Sequence, residues 1–258
     1  MSPSEKSRAH ACPIFMYHNI ARAPRNLRRW RSLYVSPGAF ARQMWLLARW
    51  GYTGLSMNDA MPYLRGERHG RIAVITLDDG YVDNLESALP ILQRHGFTAT
   101  CYVVSGGIGR CNSWDAEKLG IEKPLMNAAQ LRAWHDGGME VGAHTRSHPR
   151  LTQCSDAQLR DEIAGSKTEL EDQLGAPVTQ FCYPYGDMDD RVAAFTQASG
   201  YAAATTTQRG RATAGMDLWR LPRVQVARHH VLPQFAMRAF TDYENRRHEH
   251  RRRASVHG

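Results

Sequence analysis

Short apolar, β-branched runs alternate with amphipathic helical runs along nearly the whole of this chain, and that alternation leaves few folds open. Residues 13–20 (PIFMYHNI) read as a first strand and its exit. Ser36-Pro37 supplies an N-cap and a proline at the first helical position, so a helix is expected over 38–50, closed by Gly51. Ile72–Leu77 (IAVITL) is the pattern of a strand buried on both faces. A helix over 84–95 follows, with a kink expected at Pro90, then a strand over 97–104. Residues 105–126 read as a long loop carrying Trp114 and placed to cover a site. Asn127 caps a helix reaching His135, a strand over 139–143 runs into His144, and Ser155 with Gln158 forms a capping box for a helix to Leu174. Strands over 180–183, 201–205 and 218–226, with a helix over 189–199, complete the pattern. βα units of about 30 to 40 residues imply parallel strands with helices outside, in a barrel or an open sheet.

At 258 residues the chain has the length of a single α/β barrel. No apolar stretch reaches the roughly 20 residues of a membrane span. The first twelve residues have no apolar core of the secretory kind, so a cytoplasmic protein is expected. The five cysteines (Cys12, Cys101, Cys111, Cys154, Cys182) are odd in number and contain no Cys-x-x-Cys pair, which argues against a disulfide framework or a cysteine zinc site. Cys101 and Cys182 sit in apolar runs and read as small buried hydrophobes.

The formal charge of +8 is uneven. Residues 1–35 carry a net +6 and residues 245–258 a net +4, which leaves −2 for the body between them. Specific nucleic-acid binding by the body is therefore not expected, while the basic ends would attract an anionic lipid surface, nucleic acid or a sugar-phosphate only weakly. The expected organisation is a polar arm over 1–12, one domain over 13–243 and a basic, disordered tail over 244–258.

Three polar clusters each follow a strand directly: Asp78-Asp79-Gly80, His144-Thr145-Arg146-Ser147-His148 and Tyr183-Pro184-Tyr185-Gly186. In parallel α/β folds the carboxyl ends of the strands share one face, so separate clusters can converge. His144 and His148, four apart, lie on one side of a helical or turn-like segment with β-carbons roughly 6 Å apart, close enough to hold one ion. Two histidines with one carboxylate form the ligand set of hydrolytic zinc sites and of non-haem iron oxygenases. Adjacent Asp78 and Asp79 suit different roles, one binding a cation and the other taking a proton from the water it activates, rather than a glycosidase pair flanking one bond. An oxygenase has no use for that second carboxylate; a hydrolase does. Taken singly, each cluster also has a plainer reading, as a turn or a polar loop.

Together, in this order and spacing, these residues resemble the polysaccharide deacetylases of the NodB-homology group, carbohydrate esterase family 4. Thr76-Leu77-Asp78-Asp79-Gly80 is similar to the family's first motif, His144 to His148 to the second, and Cys182-Tyr183-Pro184-Tyr185-Gly186 to the third, over about residues 13–226. The resemblance implies a distorted (β/α) barrel of about seven parallel strands and hydrolysis of the acetamide of an N-acetylated amino sugar. It also implies Asp79, His144 and His148 as ligands of a divalent metal, zinc by default, Asp78 as general base, and the backbone N–H of Tyr185 as an oxyanion donor. Two departures matter. The family's closing Leu-x-x-His has no clear copy, but a subset begins with a Tyr-His strand, as though the last strand had moved to the front, and Tyr17-His18 fits it. His18 is thus the expected general acid, with His229 or His230 as the alternative. Cys182 stands where the family has arginine, and Arg223 could substitute by reaching from a neighbouring strand, or simply form a barrel-end salt bridge. Trp219 is either a wall for the acetyl methyl or core. Removal of another small acyl group such as formyl, or carbohydrate binding without turnover, would use the same pocket.

Overall fold

The computed structural model describes residues 11–256, with side chains described through residue 249. The strands are β1 (Ile14–Tyr17), β2 (Thr53–Leu55), β3 (Ile72–Leu77), β4 (Thr100–Val103), β5 (Glu140–Ala143), β6 (Gln180–Cys182), β7 (Ala203–Arg209) and β8 (Leu221–Gln225). They pair in parallel in the order β1-β8-β7-β6-β5-β4-β3, and β1 pairs in turn with β3, which closes a seven-stranded barrel. The short β2 pairs with the start of β3, at Ile72 to Val74, and β4 with its end, at Thr76 and Leu77. The expected barrel is therefore present, with the first strand of the chain between the last strand and β3.

Alternation on the strands divides two cores. Ile72 and Val74 cluster with Ile14, Tyr102, Cys182 and Leu221, which come from other strands of the ring, so these residues fill the barrel. Ala73, Ile75 and Leu77 pack outward with Phe40, Met44 and Leu92 from helices. Asp78 continues the inward register of Ile72, Val74 and Thr76, which aims its carboxylate into the barrel mouth.

The outer helices are α1 (Pro37–Arg49), α2 (Met57–Leu64), α3 (Leu89–Arg94), α4 (Ser113–Leu119), α5 (Ala128–Asp136), α6 (Asp156–Arg160), α7 (Ser166–Leu174), α8 (Asp190–Ala198), α9 (Leu232–Phe240) and α10 (Tyr243–Val256). The caps act as the residues dictate: Ser36 accepts from the Ala39 N–H, and Asn127 and Ser155 form reciprocal boxes with Gln130 and Gln158. Before Pro90 the chain makes a π turn over Asn84–Ala88 and then resumes as α3. Proline has no N–H to give the carbonyl one turn back, so the hydrogen-bond ladder resets there.

Three expectations are corrected. The unit β2–α2 lies in a stretch read as neither strand nor helix, and the loop 105–126 contains α4. Residues 243–256 form a helix rather than a disordered tail, because Glu244 is fully buried and pairs with Arg209 at 2.8 Å and with Arg238. Residues 1–10 of the expected polar arm lie outside the described residues. Its last two, Ala11 and Cys12, are buried, and Cys12 exchanges backbone hydrogen bonds of 2.7 and 2.8 Å with Ala212. All five cysteines are free, and Cys12, Cys101 and Cys182 are buried. Among the described residues no helix is long and apolar enough to cross a membrane.

Candidate active site and metal centre

The three clusters meet at the carboxyl end of the barrel, and each needs an unusual backbone to do so. Asp79, Thr145, His148 and Tyr185 have φ of 79°, 67°, 62° and 60°, in the left-handed region where each non-glycine residue costs on the order of 1–3 kcal/mol. Local bonds hold these turns. The Asp78 N–H donates to the Tyr17 carbonyl at 3.0 Å, and the His144 N–H to that of Val103 at 2.9 Å. The Glu162 carboxylate accepts from the N–H groups of Arg146 and Ser147, both at 2.9 Å, while the Thr145 hydroxyl accepts from the His148 N–H at 3.0 Å. Gly186 also has no alternative: at φ 70° a Cβ would lie 2.8 Å from the Thr207 backbone nitrogen.

Nε2 of His144 and Nε2 of His148 each stand 3.6 Å from Oδ1 of Asp79. The three ligand atoms lie within 4.8 Å of one another, and all three residues are buried. Nδ1 of His144 donates to the Cys182 carbonyl at 2.7 Å, which fixes the tautomer and turns the Nε2 lone pair toward the cluster. Burial pushes the Asp79 carboxyl up to about 7, although His144 pulls the other way. Three converging donors, one carboxylate short of compensating charge, fit a divalent cation. A second grouping, Asp78 with His144 and Cys182, does not fit as well. Asp78 is already engaged, and burial pushes the Cys182 thiol far above its ordinary range, so the ligating thiolate is disfavoured.

Asp78 is held by Arg223. Nη1 and Nη2 of the guanidinium meet Oδ1 and Oδ2 at 2.7 and 2.8 Å, Nε donates to the Thr206 carbonyl at 2.8 Å, and Nη1 also reaches the Thr76 hydroxyl at 3.1 Å. A planar fork on a carboxylate is what arginine does and lysine cannot. Burial alone would raise the Asp78 carboxyl, but Arg223, with His18, outweighs it and holds the group at about 2. Cys182 lies beside this pair, its sulfur 3.2 Å from Nη2 of Arg223. The side chain missing from β6 is thus supplied from β8.

Nε2 of His18 stands 3.9 Å from Oδ2 of Asp78, at the exit of β1. Burial lowers its pKa to about 4 against the opposing pull of Asp78, so the ring is neutral. His18, Asp78, Asp79, His144, His148, Tyr185 and Arg223 all line one cleft of about 320 Å³. His229 and His230 do not: His230 faces a different cleft, and its Nδ1 accepts the Ala227 N–H at 2.9 Å. Trp219 is core, half-buried, its indole N–H directed at the Tyr201 carbonyl at 3.4 Å. The aromatic lining of the cleft comes instead from Trp30, Tyr81, Tyr183 and Tyr185. Trp30 is 37% exposed there, while Trp114, on the loop expected to cover the site, stacks on His148 at 4.9 Å between centroids and faces a neighbouring cleft. Tyr81 lines the cleft beside Asp79, and Asp115 of α4 lies 3.4 Å from the Tyr185 hydroxyl. For Asp115 the signal was the loop 105–126 itself, whose α4 puts Asp115 and Leu119 on the cleft; Trp30 and Tyr81 lie outside it.

Replacing His144 by Ala removes one of the three converging donor atoms and the hydrogen-bond donor to the Cys182 carbonyl. The purified variant is expected to contain no tightly bound metal by elemental analysis; one equivalent of metal would refute the ligand role.

A family model described as polysaccharide deacetylase matches residues 65–204, more than half of the chain and all three clusters. The Bacillus subtilis protein YxkH is 27% identical over 217 residues, which are 83% of this chain and 71% of that one. The peptidoglycan-N-acetylglucosamine deacetylase PgdA of Listeria monocytogenes is 28% identical over 130 residues, 50% of this chain but 24% of the relative. A polysaccharide deacetylase of Bacillus cereus superposes with a TM-score of 0.76 at 28% identity, covering 89% of this chain and 69% of that chain.

Proposed function

The chain belongs to the polysaccharide deacetylase family, and from that membership we propose that it hydrolyses the N-acetyl amide of an amino sugar in a poly- or oligosaccharide or glycan precursor. The single observation that carries this reading is the pairing of a buried two-histidine, one-carboxylate cluster with a second carboxylate held ionised beside it. Asp79, His144 and His148 would hold a divalent cation, zinc by default. When bound, such an ion supplies Lewis-acid chemistry, polarising an acyl carbonyl and acidifying water.

The remaining steps fall to the side chains. Asp78 accepts a proton from the attacking water, and the Arg223 fork fixes which oxygen faces it. His18, neutral at rest and 3.9 Å from Asp78, is beyond direct hydrogen-bond reach, so the proton passes to it through one bridging water and on to the departing amine, the C–N bond breaking as the amine is protonated. The backbone N–H of Tyr185 is assigned to the charge that develops on the carbonyl oxygen. The products are a free amino sugar and acetate. Acetate release from a panel of N-acetylated sugars by metal-reconstituted protein tests this, with formate measured in parallel on N-formylated ones. Formate without acetate would replace the acetyl assignment, and neither product would end the hydrolase reading.

Proton competition provides a second check. With Asp79 at about 7 in the metal-free protein, the carboxyl must lose a proton to ligate, so below that pH binding releases protons. Apparent affinity is expected to weaken by about tenfold per pH unit below 7. Calorimetry in buffers of differing ionisation enthalpy measures the protons released; none at pH 6 would contradict the assignment.

A further inference from the structure

Beside the metal cleft lies a larger one, about 750 Å³, lined by Arg22, Arg25, Arg31, Arg42 and Arg228 and by no acidic residue. Among the described residues none of the five pairs with a carboxylate, and Arg31 is held in place by the Pro24 carbonyl at 2.8 Å. These arginines come from the β1–α1 connection, from α1 and from the loop after β8, so no single segment makes the cluster. Two helices also begin on this cleft: α1, capped by Ser36, and α9, which follows Val231. Their N-terminal dipoles add to the positive field. Five like charges around one cleft repel, and no carboxylate among the described residues lines it to offset them. An anion of matching charge would.

The two clefts share a wall. Trp30, Ser32 and Leu33 face the metal cleft, while Arg31 and Tyr34 of the same segment face the arginines. The Arg228 N–H donates to the Ser32 carbonyl at 2.9 Å and ties the second side to that wall. We propose that the arginine cleft binds the phosphate or pyrophosphate of a phosphorylated glycan whose N-acetylated sugar occupies the metal cleft. Arginine forks match phosphate oxygens in pairs, and five of them suit more than one phosphoryl group. The site is concave, so it takes a group that enters it, which a flat lipid surface does not. This substrate class rests on the deacetylation reading above.

Calorimetric titration of the full chain with inorganic pyrophosphate, with and without added metal, tests the cleft without needing turnover. Pyrophosphate should bind, and Arg42→Gln/Arg228→Gln should weaken it by roughly 10-fold or more, the loss expected for charge-assisted contacts. In turnover, an N-acetylated hexosamine 1-phosphate should exceed the free sugar in kcat/KM by about 10-fold, through KM. That ratio should fall toward one in the double variant and recover in part in Arg42→Lys/Arg228→Lys. Equal pyrophosphate affinity in wild type and Arg42→Gln/Arg228→Gln, or no phosphate advantage where the free sugar is deacetylated, overturns the proposal. Acetate from neither sugar defeats the deacetylation reading, and the titration still decides the cleft. Sedimentation with phosphatidylglycerol vesicles that the double variant loses and pyrophosphate fails to displace would assign the arginines to a membrane and overturn it too.

Discussion

Asp78→Asn is expected to retain metal and lose hydrolysis by about 10²–10⁴-fold, the range for removing a general base. The substitution keeps shape and removes only the ability to take a proton, while Asp79, His144 and His148 are untouched. Acetate release and metal stoichiometry are measured on the same preparation; undiminished turnover would end the base assignment. The variant should also be less stable, because Arg223 then holds a buried charge without a partner. The sign follows from the lowered pKa. Asp78, at about 2 in the folded protein against 3.8 ordinarily, contributes stability that is present above 3.8 and is lost as pH falls through 2. The wild type should therefore lose its advantage over the variant only in acid.

Arg223→Leu is expected to cost about 3–5 kcal/mol, the scale for breaking a buried ion pair from one side. Both partners are almost entirely buried, at 1% and 2% exposed, so solvent cannot replace the guanidinium. With the fork gone the Asp78 carboxyl drifts upward, and the acid limb of activity moves to higher pH. Arg223→Lys should recover part of the stability, since a charge returns, but little of the rate, since the paired contacts at 2.7 and 2.8 Å do not. Urea denaturation and a pH–rate profile separate the two effects. A stability loss under about 1 kcal/mol would show that the pair is ordinary surface chemistry.

Much of the site was legible because its residues sit where strands end. Asp78-Asp79, His144 and Tyr185 each follow an apolar run, and parallel packing brings such ends together whatever lies between. Arg223 was legible only as a candidate, since nothing local marks an arginine as the partner of a carboxylate 145 residues earlier. Trp30 and Trp114 belong to segments without periodicity. The unit over Thr53–Leu55 and Met57–Leu64 escaped because its strand has three residues and its helix contains Pro62. The last helix escaped for the opposite reason: its sequence (YENRRHEHRRRASV) has no apolar stripe, and what anchors it is one buried carboxylate, Glu244, against two arginines. The five arginines of the second cleft are spread from position 22 to position 228, so a count of charge along the chain assigns most of them to an end and sees no cluster.

The closure of the ring by the first strand has a consequence for synthesis. Among the eight strands the first in sequence, β1, borders the last, β8, and the Asp78 carboxylate acquires its guanidinium only once residue 223 has been made. A nascent chain that stops short of β8 thus carries Asp79, His144 and His148 but leaves Asp78 without its buried partner. The ring, and with it the Asp78–Arg223 pair, is completed only when β8 docks beside β1.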